Sequence, residues 1–410
     1  LRVISTLAVG AVWVFAADVD GDGDIDALSA SQADNKVAWY ENTNGQGAFG
    51  SERVISSLAH SPGAVVAADI DHDGDVDVVV TSQVDDTIAW HPNVDGLGSF
   101  GPAQAISLLA DGALAVFVAD VDLDGDLDVL ATSQFNDTVA WYENTDGLGS
   151  FGSQHTISTL ADRPFSVFAE DVDGDGDLDA LSASLNDGKV AWYENVDGAG
   201  TFGPQQLIAT VPAGGAYSVW SVDVDGDGDF DVVSTSAQDD TVAWYENIDA
   251  LGTFGPRQVI TVLADAVVDA IAADLNGDGM ADVLSASLFD DKIAWYPQLR
   301  VSDPLDPDSD DDGLSDGVEV DTWGTDPLLA DTDADGLGDL FEVTRGLDPL
   351  DSDQDANSIL DGLDDFDADG LDNAAEAAAG THPTLADTDG DGLLDGAELG
   401  TWGTSPLVAD

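Results

Sequence analysis

LAVFVADVDLDGDLDVLATSQFNDTVAWYENTDGLGSFG, residues 114–152, decides the fold. Three runs rich in β-branched and aromatic residues, 114–119, 127–133 and 138–143, are separated by an Asp-rich nonapeptide and a polar turn. After the Gly-rich turn at 146–149 and Phe151-Gly152, a fourth run follows at 155–159. None has helical periodicity, so the segment reads as four short antiparallel strands. The nonapeptide recurs at Asp18, Asp69, Asp120, Asp171, Asp223 and Asp274, spaced 51, 51, 51, 52 and 51 residues apart. Trp39, Trp90, Trp141, Trp192, Trp244 and Trp295 keep the same interval. A period near fifty with four strands per unit is that of a β-propeller, here all-β with six four-stranded blades.

Unpaired edges are a liability that natural sheets avoid. Residues 1–6 match the fourth strand of a blade, whereas the sixth copy stops after its third strand at Trp295-Tyr296, so residues 1–6 are expected to complete the last blade. Leu299-Arg300-Val301-Ser302 is similar and competes for that place. The Asp loop joins the first two strands of each blade, which puts all the loops on one face of the disc. The propeller is assigned to residues 1–302.

Each nonapeptide reads D-x-D-x-D-G-D-x-D with small variations. Carboxylates at positions 1, 3, 5 and 9, with a backbone carbonyl at 7, can wrap one hard cation. The side-chain sets are Asp18, Asp20, Asp22, Asp26; Asp69, Asp71, Asp73, Asp77; Asp120, Asp122, Asp124, Asp128; Asp171, Asp173, Asp175, Asp179; and Asp223, Asp225, Asp227, Asp231. The sixth is Asp274, Asn276, Asp278 and Asp282, less charged and expected to bind most weakly. The carbonyl at position 7 belongs to Asp24, Asp75, Asp126, Asp177, Asp229 or Met280.

Pro304 and Pro307 mark a linker, and residues 303–410 form a second module with a different loop. Its acids stand at positions 1, 3, 5, 9 and 12, with Gly at 6, the spacing of an EF-hand loop. The sets are Asp308, Asp310, Asp312, Asp316, Glu319; Asp331, Asp333, Asp335, Asp339, Glu342; and Asp387, Asp389, Asp391, Asp395, Glu398. Asp365, Asp367, Asp369, Asn373, Glu376 has an amide at 9, and Asp353, Asp355, Asn357, Asp361, Asp364 lacks the Gly and ends in a shorter acid. About ten residues between most loops are too few for paired long helices, so a metal-filled stalk with short helical turns is expected. Related Gly-Thr-x-Pro connectors place Asp410 at the start of a further loop, so the array is expected to continue.

Composition agrees with this chemistry. The chain has 410 residues, 83 Asp+Glu, 9 Lys+Arg and a net charge of -74, which excludes electrostatic capture of nucleic acid or of an anionic membrane. Of the 83 acids, 51 lie in the loop motifs, a register that a solvated acidic surface does not explain. With no Cys, neither disulfides nor zinc–thiolate sites are available. All-oxygen sets of this size favour calcium, at about eleven sites, over magnesium or transition metals. Carboxylates about 4 Å apart repel by roughly 4 kcal/mol at an effective dielectric of 20, so such loops do not close empty. No apolar stretch is long enough to cross a bilayer as a helix.

The loops above, with Phe49-Gly50, Phe100-Gly101, Phe151-Gly152, Phe202-Gly203 and Phe254-Gly255, make residues 1–302 resemble FG-GAP/VCBS repeats, which build the integrin α-subunit propeller. The resemblance implies a propeller with one calcium per strand-joining loop. Integrin propellers have seven blades, so seven stays open beside the six counted. Residues 303–410 resemble bacterial thrombospondin type 3 repeats, as in Asp387-Thr388-Asp389-Gly390-Asp391-Gly392, which implies a calcium-loaded, rod-like spacer of secreted and cell-surface proteins.

The Trp residues read as inter-blade packing rather than sugar platforms, since a large aromatic once per blade belongs to the core. His60, His72, His91, His155 and His382 have no catalytic or metal-site spacing, and no G-x-S-x-G, P-loop or H-E-x-x-H is present. The expected function is a non-catalytic, calcium-dependent extracellular structural or adhesive module of a cell-surface or filamentous assembly. Its partners would be other copies of itself, or cell-surface proteins or glycans. A carbohydrate-binding lectin and an accessory domain of a secreted polysaccharide-degrading enzyme are the alternatives.

Overall fold

The computed structural model describes the chain except residues 1–2, 212–214, 276–279, 291, 298–307, 309, 311, 316–317, 326, 328, 355–356, 358 and 410. It divides into two compact units, Leu1–Gln298 and Leu299–Asp410. The first is a six-bladed β-propeller.

The third blade shows how the sequence builds the unit. Its strands are β9 (Ala113–Ala119), β10 (Asp128–Ser133), β11 (Thr138–Tyr142) and β12 (His155–Ser158), hydrogen-bonded in chain order. Leu130 pairs with Phe117 on one side and Trp141 on the other, which brings the large apolar side chains onto one face of the sheet. The same Leu- or Val-to-Trp register recurs at Leu28–Trp39, Val79–Trp90, Leu181–Trp192, Val233–Trp244 and Leu284–Trp295. The other blades occupy residues 11–56, 62–107, 164–210, 216–261 and 267–296.

Because both faces of a blade are apolar, the cores lie between blades. Leu28, Val37 and Trp39 of the first blade pack against Val65, Val78 and Val80 of the second, and equivalent clusters join each later pair. Trp39, Trp90, Trp141 and Trp192 are at most 3% exposed. Each ring fills the notch left by a glycine of the next blade: a Cβ on Gly98, Gly149, Gly200 or Gly252 would meet the ring at 2.1 to 2.2 Å. The expectation that the repeat Trp side chains are packing residues holds for these four and for the partly buried Trp244, whereas Trp295 is 49% exposed. Gly149→Ala combines that overlap with a φ of +80°, so it is expected to lose about 3 kcal/mol, measured by urea unfolding in calcium.

The expected closing strand is corrected. Among the described residues the sixth sheet has three strands, β21 (Val267–Ala273), β22 (Asp282–Ser287) and β23 (Lys292–Tyr296), and residues 3–6 form none. The N-terminal segment is instead tied to its own first blade. The Leu7 carbonyl accepts from Lys36 Nζ, Val9 N–H donates to Asp34, and Gln32 N–H donates to the Gly10 carbonyl. Leu1, Arg2, the competing segment 299–302 and the Pro304–Pro307 linker lie outside the described residues.

Among the described residues the second unit has only short helices, as expected. α1 (Asp339–Arg345) and α2 (Asn373–Ala379) are followed by left-handed Gly346 and Gly380, and single turns occupy Glu319–Trp323, Asp361–Leu363, Asp395–Ala397 and Glu398–Trp402. Each helical segment except the 361–363 and 395–397 turns contains or begins with the acid that closes a loop.

Candidate metal centre

Each propeller loop is folded by its own carboxylates. In the first, Asp18 accepts from the N–H groups of Asp22 and Gly23, and Asp22 accepts from Asp24 N–H. Gly23 holds φ +92°, a turn that a Cβ would strain. Asp26 is the first residue of the second strand and is 1% exposed; it accepts from Val19 N–H at 3.1 Å and from Asn42 N–H at 2.7 Å.

This folding brings oxygens together without partners. One ligand oxygen from each of Asp18, Asp20 and Asp22 lies within 4.8 Å of the others, as do those of Asp69, Asp71, Asp77; Asp120, Asp122, Asp128; Asp171, Asp173, Asp175; and Asp223, Asp225, Asp231. One Oδ1 of Asp20, Asp69, Asp71, Asp120, Asp122 and Asp173 is buried with no hydrogen-bond donor. Buried carboxylate oxygens without protein donors, converging on one point, fit a hard cation.

The position-7 side chains turn outward. Those of Asp24, Asp75, Asp126 and Asp177 pack beside Gly45, Gly96, Gly147 and Gly198, where a Cβ would lie within 2.5 Å of a carboxylate oxygen. His72, at position 4, faces Asp126 of the next blade at 3.3 Å. In the sixth loop Asn276 and Asp278 lie outside the described residues; Asp282 is fully buried and accepts from Leu275 N–H.

Two sets of residues were missed in the sequence. Glu41, Glu143, Glu194 and Glu246 add negative charge beside Asp20, Asp122, Asp173 and Asp225. Asn144, Asn195 and Asn247, which follow three of these Glu residues, and Asn93 each contact two loops, as described below. The signal was the recurring Tyr-Glu-Asn at 40–42, 142–144, 193–195 and 245–247.

The stalk loops show the same chemistry. Glu319, Glu342, Glu376 and Glu398 at position 12 are all 0% exposed, and so are Asp339, Asp361, Asn373 and Asp395 at position 9. Both Glu342 oxygens lack a partner, as do one oxygen each of Glu319, Glu376, Glu398, Asp310, Asp333, Asp335, Asp367 and Asp389. Asp316 and Asp355 lie outside the described residues. The loop at 353–364 is built differently. Asp364 accepts from Asp365 N–H at 2.8 Å and from Asn357 Nδ2 at 2.5 Å, so an amide donor meets the acid that closes the other loops.

Without a cation, burial of these carboxyls favours their protonated form. Burial, helped by neighbouring acids and opposed by backbone N–H donors, lifts Asp77, Asp128, Asp179 and Asp231 to about 7. Burial and then Asp335, Asp333, Asp339 and Asp331 push Glu342 to about 9. Glu319 and Glu376 rise to about 7 for the same reasons.

An acid whose folded value lies above its ordinary one, near 3.8 for Asp, binds protons more tightly folded than unfolded. Folding is then favoured as pH falls from about 7 towards 4. The chelated protein is expected to melt at a higher temperature at about pH 5.5 than at about pH 8, with the order reversed in saturating calcium, where protons compete with the ion. Differential scanning calorimetry in chelator and in calcium checks both signs.

Comparison with known proteins gives the same division. Residues 18–80, 69–131, 120–182, 171–234 and 223–285 match the FG-GAP-like repeat, and residues 308–330, 365–386 and 387–409 match the bacterial TSP3 repeat. No curated protein matches the chain. Among solved structures it is similar to an Agrocybe aegerita lectin recognising non-reducing terminal N-acetylglucosamine, with 22% identity, TM-score 0.51, and coverage of 68% of this chain and 75% of that one. The V. cholerae biofilm matrix protein Bap1 shares 20% identity at TM-score 0.39, covering 65% of this chain and 41% of that one. Virginiamycin B lyase from Staphylococcus aureus shares 11% identity at TM-score 0.46, covering 72% and 86%. The likeness to the lectin concerns the fold alone.

Proposed function

The chain belongs to the FG-GAP-like repeat family, and from that membership and the loop geometry we propose that it is a calcium-dependent, extracellular structural or adhesive module. The observation that carries the calcium assignment is the set of buried carboxylate oxygens without donors, repeated in both units and including both oxygens of Glu342. Bound calcium would supply only positive charge and oxygen coordination. The chain's own residues fold the loops, exclude water from the acids and hold the blades together.

An extracellular setting is supported by both repeat types and by the affinity class of such modules. Extracellular calcium modules bind at about 10⁻⁴–10⁻³ M, so loops of that class fill outside the cell and stay largely empty in cytosol. Among the described residues no helix is long and apolar enough to cross a membrane. We read the module as non-catalytic. In support, His60 pairs with Asp85, His72 with Asp126, His155 stacks on Trp141, His91 contacts the Gly101 carbonyl and His382 contacts Thr384.

Near-identity of the blades favours a scaffold, because recognition surfaces diversify while scaffolds repeat. Trp39, Trp90, Trp141 and Trp192 are buried between blades, which supports packing over sugar binding for these four. A glycan array probed in calcium and in chelator tests the choice. No calcium-dependent glycan binding, with calcium-dependent rigidity by small-angle scattering, is expected. Calcium-dependent binding to a defined terminal sugar would replace the structural reading with a lectin.

A further inference from the structure

Asn93, Asn144, Asn195 and Asn247 are at most 1% exposed, and each makes the same bonds. The side-chain Nδ2 donates across the blade boundary to the carbonyl at position 2 of the preceding Asp loop: Asn93 to Val19, Asn144 to Ile70, Asn195 to Val121 and Asn247 to Val172, at 2.8 to 2.9 Å. The backbone N–H of the same Asn donates to the position-9 carboxylate of its own loop, Asp77, Asp128, Asp179 or Asp231, at 2.7 to 2.8 Å. Its Oδ1 accepts from Gly98, Gly149, Gly200 or Gly252, the glycines that receive the Trp of the preceding blade.

The position-9 carboxylate passes the connection on. Its second oxygen accepts the N–H of position 2 in the same loop, at Val19, Ile70, Val121, Val172 and Val224. The position-2 residue is thus held from its own loop through N–H, and in loops 1 to 4 from the next blade through C=O. A single line of buried hydrogen bonds runs from the first Asp loop to the fifth. In the sixth copy Pro297-Gln298 replaces the Glu-Asn pair.

We infer that these four Asn residues are positioning residues that couple neighbouring metal loops, so that filling one loop raises the affinity of the next. The inference rests on the calcium reading above. An ion that closes one loop fixes its position-2 carbonyl, and that carbonyl holds the next blade's Asn. The Asn N–H then orients the carboxylate that closes the following loop. By linkage the effect is reciprocal. A buried polar chain transmits it because breaking one bond leaves a donor and an acceptor unpaired away from water.

Asn42 provides an internal control. It makes the same bonds within its own blade, to Asp26, Ile25 and Gly47, and its described bonds reach no other loop.

Hydrogen-exchange mass spectrometry of the whole chain, titrated with calcium, reads each loop separately. Asp71→Asn weakens the second loop. In the otherwise native chain it is expected to raise the calcium midpoint of the third loop, residues 120–128, by about fivefold or more. With Asn144→Ala added, that shift is expected to vanish, and with Asn42→Ala to persist. A purely structural role for Asn144 would lower protection at all calcium levels without abolishing the shift.

An unmoved third-loop midpoint on Asp71→Asn, or a shift surviving Asn144→Ala, overturns the coupling. Should Asn144→Ala not fold, Asp71→Asn alone still decides. Loops that gain no protection with calcium overturn the calcium reading itself, an outcome distinct from filled but independent loops.

Discussion

Chelation of calcium is expected to unfold the propeller at physiological temperature or to lower its melting temperature by tens of degrees. Each site that binds only the folded chain adds RT ln(1 + [L]/Kd), about 1.4 to 2.7 kcal/mol at 10 to 100 times Kd. Five such loops together supply roughly 7 to 14 kcal/mol, comparable to the whole stability of an ordinary domain, about 5 to 15 kcal/mol. The remaining balance is poor because the acids then face one another. Asp20, Asp71, Asp122 and Asp173 all stand above the usual carboxylate range, from burial first and neighbouring acids second. Differential scanning calorimetry with and without excess chelator checks this, and an unchanged transition would remove the metal from the folding account.

The second large effect is expected at Glu342. Its carboxylate is fully buried, lacks a donor on either oxygen, and is surrounded by Asp331, Asp333, Asp335 and Asp339. Glu342→Gln keeps the shape and removes the charge. In chelator it relieves repulsion and raises the stability of the stalk unit, whereas in calcium it weakens that site by roughly a hundredfold or more, since ligand charge sets affinity in such loops. The two signs are opposite, so calorimetry in both buffers separates a ligand from a merely buried acid. Asp364→Asn is expected to leave calcium stoichiometry unchanged, because Asn357 already donates to that carboxylate. Equilibrium dialysis counts the ions.

Much of this was legible in the sequence because both repeats impose a period. Strand ends fall where alternation gives way to Asp or Gly: 127–133 was read and Asp128–Ser133 is found, 138–143 was read and Thr138–Tyr142 is found. The loops were legible because oxygen ligands at fixed spacing leave no other use for so many Asp.

What was not legible depends on contacts distant in sequence or on the orientation of one group. Asn144 meets Ile70 from 74 residues away, and a single Asn after a strand reads as a turn residue. Residues 1–6 carry the pattern of a fourth strand, yet residues beside them are held by Lys36 and Asp34 of the first blade, which no alternation reveals. The loop at 353–364 matches the ligand spacing, but the direction of the Asn357 amide decides its chemistry.

The most direct measurement is an anomalous difference map from crystals grown in millimolar calcium. One ion is expected at the centre of each intact Asp loop in both units, ligated by the carboxylates at positions 1, 3 and 5, with the 353–364 loop empty. Ordered loops without anomalous peaks, or loops without density at that calcium concentration, would contradict the account.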